Sequence, residues 1–567
     1  MADSMASKTA QGSAQKLVVP PEGERNYLTD HPFGLKRYPL PKDILFEQVM
    51  IPMQDGIHLA ANVFRPRSGD AVPVIVTATP YGKDNFEQWS YFQDAPVGNV
   101  PGGGFYVGDL YVSDHTPFES PDPGYWVPND YAVVLVDLPG LGRSESNPAT
   151  SPGPEARWRD TFAWLEKQEW STGKMGMSGV SALCATQWIA AKDPAPPQLK
   201  AIIPWEGINE TGPAGGYGGI PEIVFPDWLK SRWIVPNISP VGKGPEGFIF
   251  DWKYDTSRIS VPALVCASFS DQELHTWDTF DAFSRLKSEH KWLYNHRRQK
   301  WGAYYGKPEL ALQKRFFDRF LKGDEHAMDG VPRVRLEVNT SRFEYKVINA
   351  NDWPIPGTQY QELFLDAREH KLSAKPSAQE ASCSFAPAPM GDSNNRAIFD
   401  FSFDKDTDLV GHMALKLFIE AEGTDDLDIF VGVEKLDKNG DEVYFFSASG
   451  GNANGPVTRG WLRTSHRRLN MERSTTWRPV LAMREPPEPL PAGKVVEVDI
   501  PLMPSGTTFR AGEKLRLVVQ SWSGPGQWEG GETRQWDTIQ KGRCCLYTGA
   551  GKASRLLVPI VDTASLK

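Results

Sequence analysis

Cysteine is scarce in this 567-residue chain, long apolar runs are absent, and basic residues do not outnumber acidic ones. The five cysteines are too few, and odd in number, for a disulfide framework; Cys184 and Cys266 sit in apolar or helical patterns and read as buried free thiols. No stretch of about 18 uncharged apolar residues occurs, which excludes a membrane-spanning helix. With 61 Lys and Arg against 71 Asp and Glu, and no long basic run, the chain lacks the clustered cations that a nucleic-acid binder needs to neutralise phosphates. Neither CxxC nor HxxxH spacing is present, so no metal site and no cofactor are expected. Residues 1–16 are small and polar without an apolar core, and a cytoplasmic, reducing location is the expectation. What is abundant is aromatic area: 19 Trp, 17 Tyr and 28 Phe supply more buriable surface than a disordered chain carries.

At roughly 150 residues per domain the length suggests several units. Residues 1–40 form a tail with punctuation but no periodicity. Two apolar runs then flank Asp55-Gly56, a strong hairpin signal. Short β-branched runs follow at Val72–Thr77, Ala132–Val136, Lys174–Met177, Ala201–Pro204, Ala263–Ala267 and Lys291–Tyr294. Helical patterns lie between them, at Glu155–Trp170, Ala182–Lys192 and Leu274–Leu286, with a last one at Pro308–Leu321. Strands alternating with helices predict a mostly parallel sheet with right-handed crossovers. Two long segments break this rhythm, 82–129 and 206–261, and read as lid or cap elements. After a linker at 323–332 the pattern becomes alternating strands between Gly, Pro, Asn and Asp turns, which predicts an all-β jelly roll. The expected division is therefore an α/β domain with a mostly parallel sheet at 41–205 and 262–325, a cap at 206–261 and a jelly roll at 331–567.

The segment Gly176-Met177-Ser178-Gly179-Val180-Ser181-Ala182 stands directly between a strand and a helix. A nucleophile elbow needs this context, and it needs a glycine two residues before the serine where a Cβ would clash. Ser181 fits with Gly179; Ser178 fits with Gly176 but lies on the strand side. A serine hydroxyl requires a histidine base and an acid to orient it, in the chain order Ser, Asp or Glu, His, each past the C-terminal end of a later strand. Asp271 and His296 occupy such positions. Asp271 is also read as a helix N-cap before Leu274. His290 stands at the wrong end of its strand, and His275 is assigned to a helix in the wrong phase. The N–H of Ala182 and the phenol of Tyr81, in the loop after the strand at 72–77, are candidate oxyanion donors. Gly140-Leu141-Gly142 lacks the rest of a phosphate-loop pattern and reads as a tight turn.

Several motifs occur together and in order: the Asp55-Gly56 hairpin, Pro80-Tyr81-Gly82-Lys83, Asp137-Leu138-Pro139-Gly140-Leu141-Gly142-Arg143-Ser144, Gly179-Val180-Ser181, Pro262-Ala263-Leu264 leading to Asp271, Lys314-Arg315-Phe316-Phe317-Asp318 and Arg459-Gly460-Trp461-Leu462. On these, residues 45–565 resemble the CocE/NonD family of serine hydrolases. The resemblance implies an α/β-hydrolase fold with a helical cap and a C-terminal jelly roll. It also implies Ser181 as nucleophile, His296 as base, Asp271 as its orienter, and Tyr81 with Ala182 as oxyanion hole. In the α-amino-acid ester hydrolases of this family, acidic residues beyond the catalytic aspartate bind the substrate ammonium. Glu273, with Glu206 or Glu210, is the counterpart here, although a solvated first-turn position is the plainer reading of Glu273. Trp205, Trp228 and Trp233 are candidates for lining an acyl or leaving-group pocket.

The expected activity is cleavage of a small or medium ester, or an amide, through an acyl-enzyme without cofactor. Its partner is then a small-molecule substrate rather than nucleic acid or membrane, and a homodimer is compatible with the sequence. Acylase, aminopeptidase or acyltransferase chemistry uses the same residues. A non-catalytic binding protein on this fold is the alternative of another class.

Overall fold

Asp55-Gly56 reverses the chain between the first two long strands. In the computed structural model, which describes residues 36–86, 111–208, 217–221, 255–298, 300–387, 395–447, 453–483, 485–522, 537–539 and 541–566, Gly56 takes a φ of 88° at this turn. That conformation is open to glycine at little steric cost. β1 (Ile44–Pro52) and β2 (His58–Pro66) pair antiparallel on either side. The turn is tied down by Arg157, whose guanidinium meets the Asp55 carboxylate at 3.0 Å.

The apolar runs become β3 (Val72–Thr79), β4 (Ala132–Asp137), β5 (Ser171–Val180), β6 (Leu199–Trp205), β7 (Ala263–Ser268) and β8 (Lys291–His296). They pair in the order β1-β2-β4-β3-β5-β6-β7-β8, with every contact from β4 onward parallel. Every residue of β3, β4 and β7 is buried, as expected where helices cover both faces of a parallel sheet. On one face lie α1 (Pro154–Glu166), α2 (Ala182–Ala190) and α3 (Thr276–Arg285), which contribute Phe162, Leu165, Trp188, Phe280 and Phe283 to a shared core. On the other lie α4 (Lys300–Tyr304) and α5 (Lys307–Phe317), with Trp301, Tyr304, Phe316 and Phe317.

α3 starts two residues later than the sequence pattern suggests. The carbonyl of Asp271 accepts hydrogen bonds from the N–H groups of Leu274, His275 and Thr276, so a tight turn precedes the helix. α5 stops at Phe317 and passes through one wide turn, Asp318–Lys322, to Gly323, whose left-handed φ of 83° ends it.

Beyond the linker, Val334–Asn339 pairs parallel to β8, Val334 against Leu293 and Arg335 against Tyr294. The hydrolase sheet thus continues across the boundary expected at residue 331. The remaining strands are overwhelmingly antiparallel and enclose a second core that includes Leu363, Phe399, Leu415, Ile429 and Phe509, the β-rich jelly-roll domain read from the sequence. Among the described residues no helix is long and apolar enough to cross a membrane. Most of the 206–261 segment expected to form the cap, and the middle of the 82–129 segment, lie outside the described residues.

Candidate active site

The C-terminal ends of the parallel strands meet at one place, where open α/β sheets bind ligands. At the end of β5 the chain turns through Ser181, which has φ 56° and ψ −112°, and enters α2 at once. A non-glycine residue in that region carries about 1–3 kcal/mol of backbone strain and persists only where its surroundings hold it. Here the Ser181 N–H donates to the carbonyl of Trp205 at 2.9 Å and the preceding Val180 N–H to the carbonyl of Glu119 at 3.1 Å. Gly179 is required: a Cβ there would stand 2.6 Å from the Cβ of Leu183. Ser178 points into the core instead, its hydroxyl 2.8 Å from that of Tyr304.

The turn between β7 and α3 places an acid and a base side by side. The Ser181 hydroxyl lies 3.0 Å from His275 Nε2, and His275 Nδ1 lies 2.6 Å from Asp271 Oδ2. Both His275 and Asp271 are buried. Burial and the neighbouring Lys300 ammonium hold the His275 imidazole below its ordinary pKa of 6.5, against the opposing pull of Asp271 and Glu206.

His296 is not at the serine, and this corrects the sequence expectation. It ends β8 with its ring directed inward, fully buried and stacked on Trp205. Its Nε2 is 2.7 Å from Glu206 Oε1 and its Nδ1 accepts the N–H of Arg298. Glu206 also accepts from the Ser268 hydroxyl at 2.6 Å. The imidazole is therefore held by the core around the site rather than aimed at Ser181.

Lys300, which sequence reasoning passes over, inserts its ammonium between these groups. Nζ is 3.3 Å from both Asp271 Oδ2 and His275 Nδ1, and the side chain is almost fully buried. Glu206, Asp271 and His275 bring possible metal-ligating atoms within 4.8 Å of one another. Those atoms already serve His296, Ser268, Lys300 and Ser181, so the cluster works as a compensated charge network.

On the other side of Ser181, the loop after β3 brings Tyr81, whose hydroxyl also contacts the serine hydroxyl and donates to Glu119 Oε2 at 2.8 Å. Glu119 Oε1 accepts the indole N–H of Trp301 at 3.0 Å. Burial pushes the Glu119 carboxyl up to about 7, and the Tyr81 phenol is raised by burial and by that same carboxyl. Ala182 opens α2, so its N–H belongs to the first turn, where donors have no intrahelical acceptor.

Three of the expected substrate-binding residues have other partners. Glu273 is buried and forms an ion pair with Arg459 of the β domain, so its carboxylate is compensated from within the protein. Glu206 is engaged as above. Trp205 is fully buried among His296, Tyr294 and Tyr304, packed in the core rather than lining a pocket. Trp228, Trp233 and Glu210 lie outside the described residues. The β domain clamps the turn that carries Asp271 and His275. Gln272 Nε2 donates to the carbonyl of Val457 at 3.0 Å, and Asp281 on α3 binds Arg473 at 2.9 Å and also Arg478.

Comparison with known proteins supports both halves of the chain. The profile of the X-Pro dipeptidyl-peptidase (S15 family) matches residues 55–221, and that of the X-Pro dipeptidyl-peptidase C-terminal non-catalytic domain matches residues 326–557. Cocaine esterase of Rhodococcus sp. is 26% identical over 384 residues, covering 56% of this chain but only 61% of the esterase's own length. The crystal structure of a CocE/NonD family hydrolase from Staphylococcus aureus superposes with a TM-score of 0.80 at 33% identity, covering 94% of this chain and 100% of the other. An aminopeptidase from a marine sediment archaeon, Thaumarchaeota archaeon, shares the fold, with a TM-score of 0.64 at 16% identity over 94% of this chain and 100% of that one.

Proposed function

Because this chain belongs to the CocE/NonD family of hydrolases, we propose that it cleaves an ester, or an amide, through an acyl-enzyme on Ser181, with His275 as the base and Asp271 as its orienter. The observation that carries this reading is the continuous hydrogen-bond chain from Ser181 Oγ through His275 to Asp271, at 3.0 and 2.6 Å. Within it, His275 Nε2 takes the hydroxyl proton as Oγ attacks the carbonyl, and Asp271 stabilises the imidazolium that results. His275 returns the proton to the departing alcohol or amine. Water then enters, gives a proton to the same nitrogen and attacks the acyl carbon; as the C–Oγ bond breaks, His275 passes that proton to Oγ, which releases the acid and regenerates the serine. The N–H of Ala182 and the O–H of Tyr81 flank Ser181 where negative charge develops on the carbonyl oxygen.

A depressed pKa at His275 favours the free base at neutral pH, the form that general-base catalysis requires. The pairing of Glu273 with Arg459 gives that carboxylate a partner within the protein, so Glu273 does not support an amino-ester substrate.

Hydrolysis of p-nitrophenyl esters tests the proposal. Wild type should turn over a short-chain ester, and Ser181→Ala should lose about 10⁴-fold or more in kcat. Undiminished turnover by Ser181→Ala would refute it.

A further inference from the structure

Glu119 plays no part in the reaction as written, yet several contacts build it into the site. It is buried and has a left-handed φ of 64°, a conformation strained for a residue with a Cβ. Its carbonyl holds the N–H of Val180, the residue before the nucleophile. Its carboxyl reaches Trp301 Nε1 with one oxygen and the Tyr81 hydroxyl with the other. Tyr81 has a single O–H, and a proton donated to Glu119 is not available to a developing oxyanion.

We propose that Glu119 is a positioning residue that aims the Tyr81 hydroxyl. Carrying a proton on Oε2, it donates to the phenol oxygen and leaves the Tyr81 O–H directed at the substrate's carbonyl oxygen; as a carboxylate, it draws that O–H away. The exchange needs only one proton, taken from or given to solvent, and Oε1 keeps the Trp301 N–H in both states. The proposal rests on the acyl-enzyme reading above, with Tyr81 as an oxyanion donor.

Among the described residues, the charged and titratable groups that act on Glu119 or are acted on by it are Tyr81 from the loop after β3, Lys300, Tyr304 and Tyr305 from α4 and its end, Glu206 beyond β6 and Cys184 on α2. Burial, with Glu206 acting in the same direction, outweighs Lys300 and the hydrogen bonds from Tyr81 and Trp301 and pushes the carboxyl up to about 7. A protonated, donating Glu119 is thus populated in the neutral range, where the His275 base is free.

The experiment is the pH profile of kcat for a p-nitrophenyl ester in wild type, Glu119→Gln and Tyr81→Phe. Wild type should lose activity on an alkaline limb near pH 7, with kcat lower by about tenfold or more two pH units above it, since one oxyanion donor contributes about 10²–10³-fold. The amide introduced by Glu119→Gln would keep the contact to Trp301 through its oxygen and donate to Tyr81 through its nitrogen, so this variant should lack that limb. Tyr81→Phe should be slower and should also lack it, because no hydroxyl proton remains to redirect. This second variant leaves the carboxyl in place and stands as the test if Glu119→Gln fails to fold. An alkaline limb near 7 that persists in Tyr81→Phe, or in folded Glu119→Gln, would overturn the proposal. Its failure differs visibly from failure of the hydrolase reading, in which wild type itself shows no Ser181-dependent turnover.

Discussion

Asp271 and His275 stand four residues apart in one turn, and the imidazole Nδ1 meets the carboxylate at 2.6 Å while Nε2 faces Ser181. The carboxylate and the imidazole beside Ser181 thus come from a single loop between β7 and α3, and His296 at the end of β8 is turned to Glu206 instead. Because the β domain holds that loop through Gln272 and Glu273, and α3 through Asp281, both groups are oriented by the second domain as well as by the sheet.

This arrangement separates the two histidines by experiment. His275→Ala should lower kcat/KM by about 10³-fold or more. His296→Gln should retain turnover, because residue 296 does not contact the serine. It should nonetheless lower the thermal midpoint, since the shorter amide weakens the buried hydrogen bond to Glu206 and leaves the Arg298 N–H without its ring acceptor; an unsatisfied buried polar group costs about 1–3 kcal/mol. Steady-state kinetics and thermal unfolding of the two variants check both halves.

Burial, and after it the Lys300 ammonium, hold His275 below 6.5. A histidine with a depressed pKa stays neutral to lower pH, so the acid limb of kcat/KM in wild type should lie below the ordinary histidine value. Lys300→Met removes the nearby positive charge and leaves Asp271 to favour the imidazolium, so that limb should move to higher pH. A pH profile of kcat/KM for both proteins reads the sign directly.

Arg459 and Glu273 form a buried pair between the domains. Arg459→Met removes the guanidinium from a buried carboxylate and should cost about 3–5 kcal/mol, while Arg459→Met with Glu273→Gln should recover much of it. Denaturant unfolding of the single and double variants gives the coupling. If Glu273 serves this interface, Glu273→Gln should change KM for an amino ester and for a neutral ester by the same factor.

The serine is legible in the sequence because its requirements are local: a strand, Gly179 where no Cβ fits, and a helix starting at Ala182. Asp271 is legible from its place past an apolar strand. The base is not, because the amphipathic pattern extends back to Leu274 and puts His275 inside a helix. The helix begins at Thr276, and the Asp271 carbonyl bends the residues before it into a turn. An Asp and a His four apart just after a strand is the available signal, since one turn of chain brings such side chains together. Nothing local marks Lys300 or Glu119: each reaches the site from a segment remote in sequence, and only the packing of α4 and of the residue 111–131 segment against the strand ends brings them in.

The role of His275 as the group that activates Ser181 is tested most directly by the rate of covalent labelling with a fluorophosphonate, followed by intact mass and mapped by peptide sequencing. The modification should fall on Ser181 in wild type and in His296→Gln, at rates within about tenfold of each other, and should slow by about 10³-fold or more in His275→Ala. Labelling of His275→Ala as fast as wild type, or an adduct on Ser178, would contradict the account.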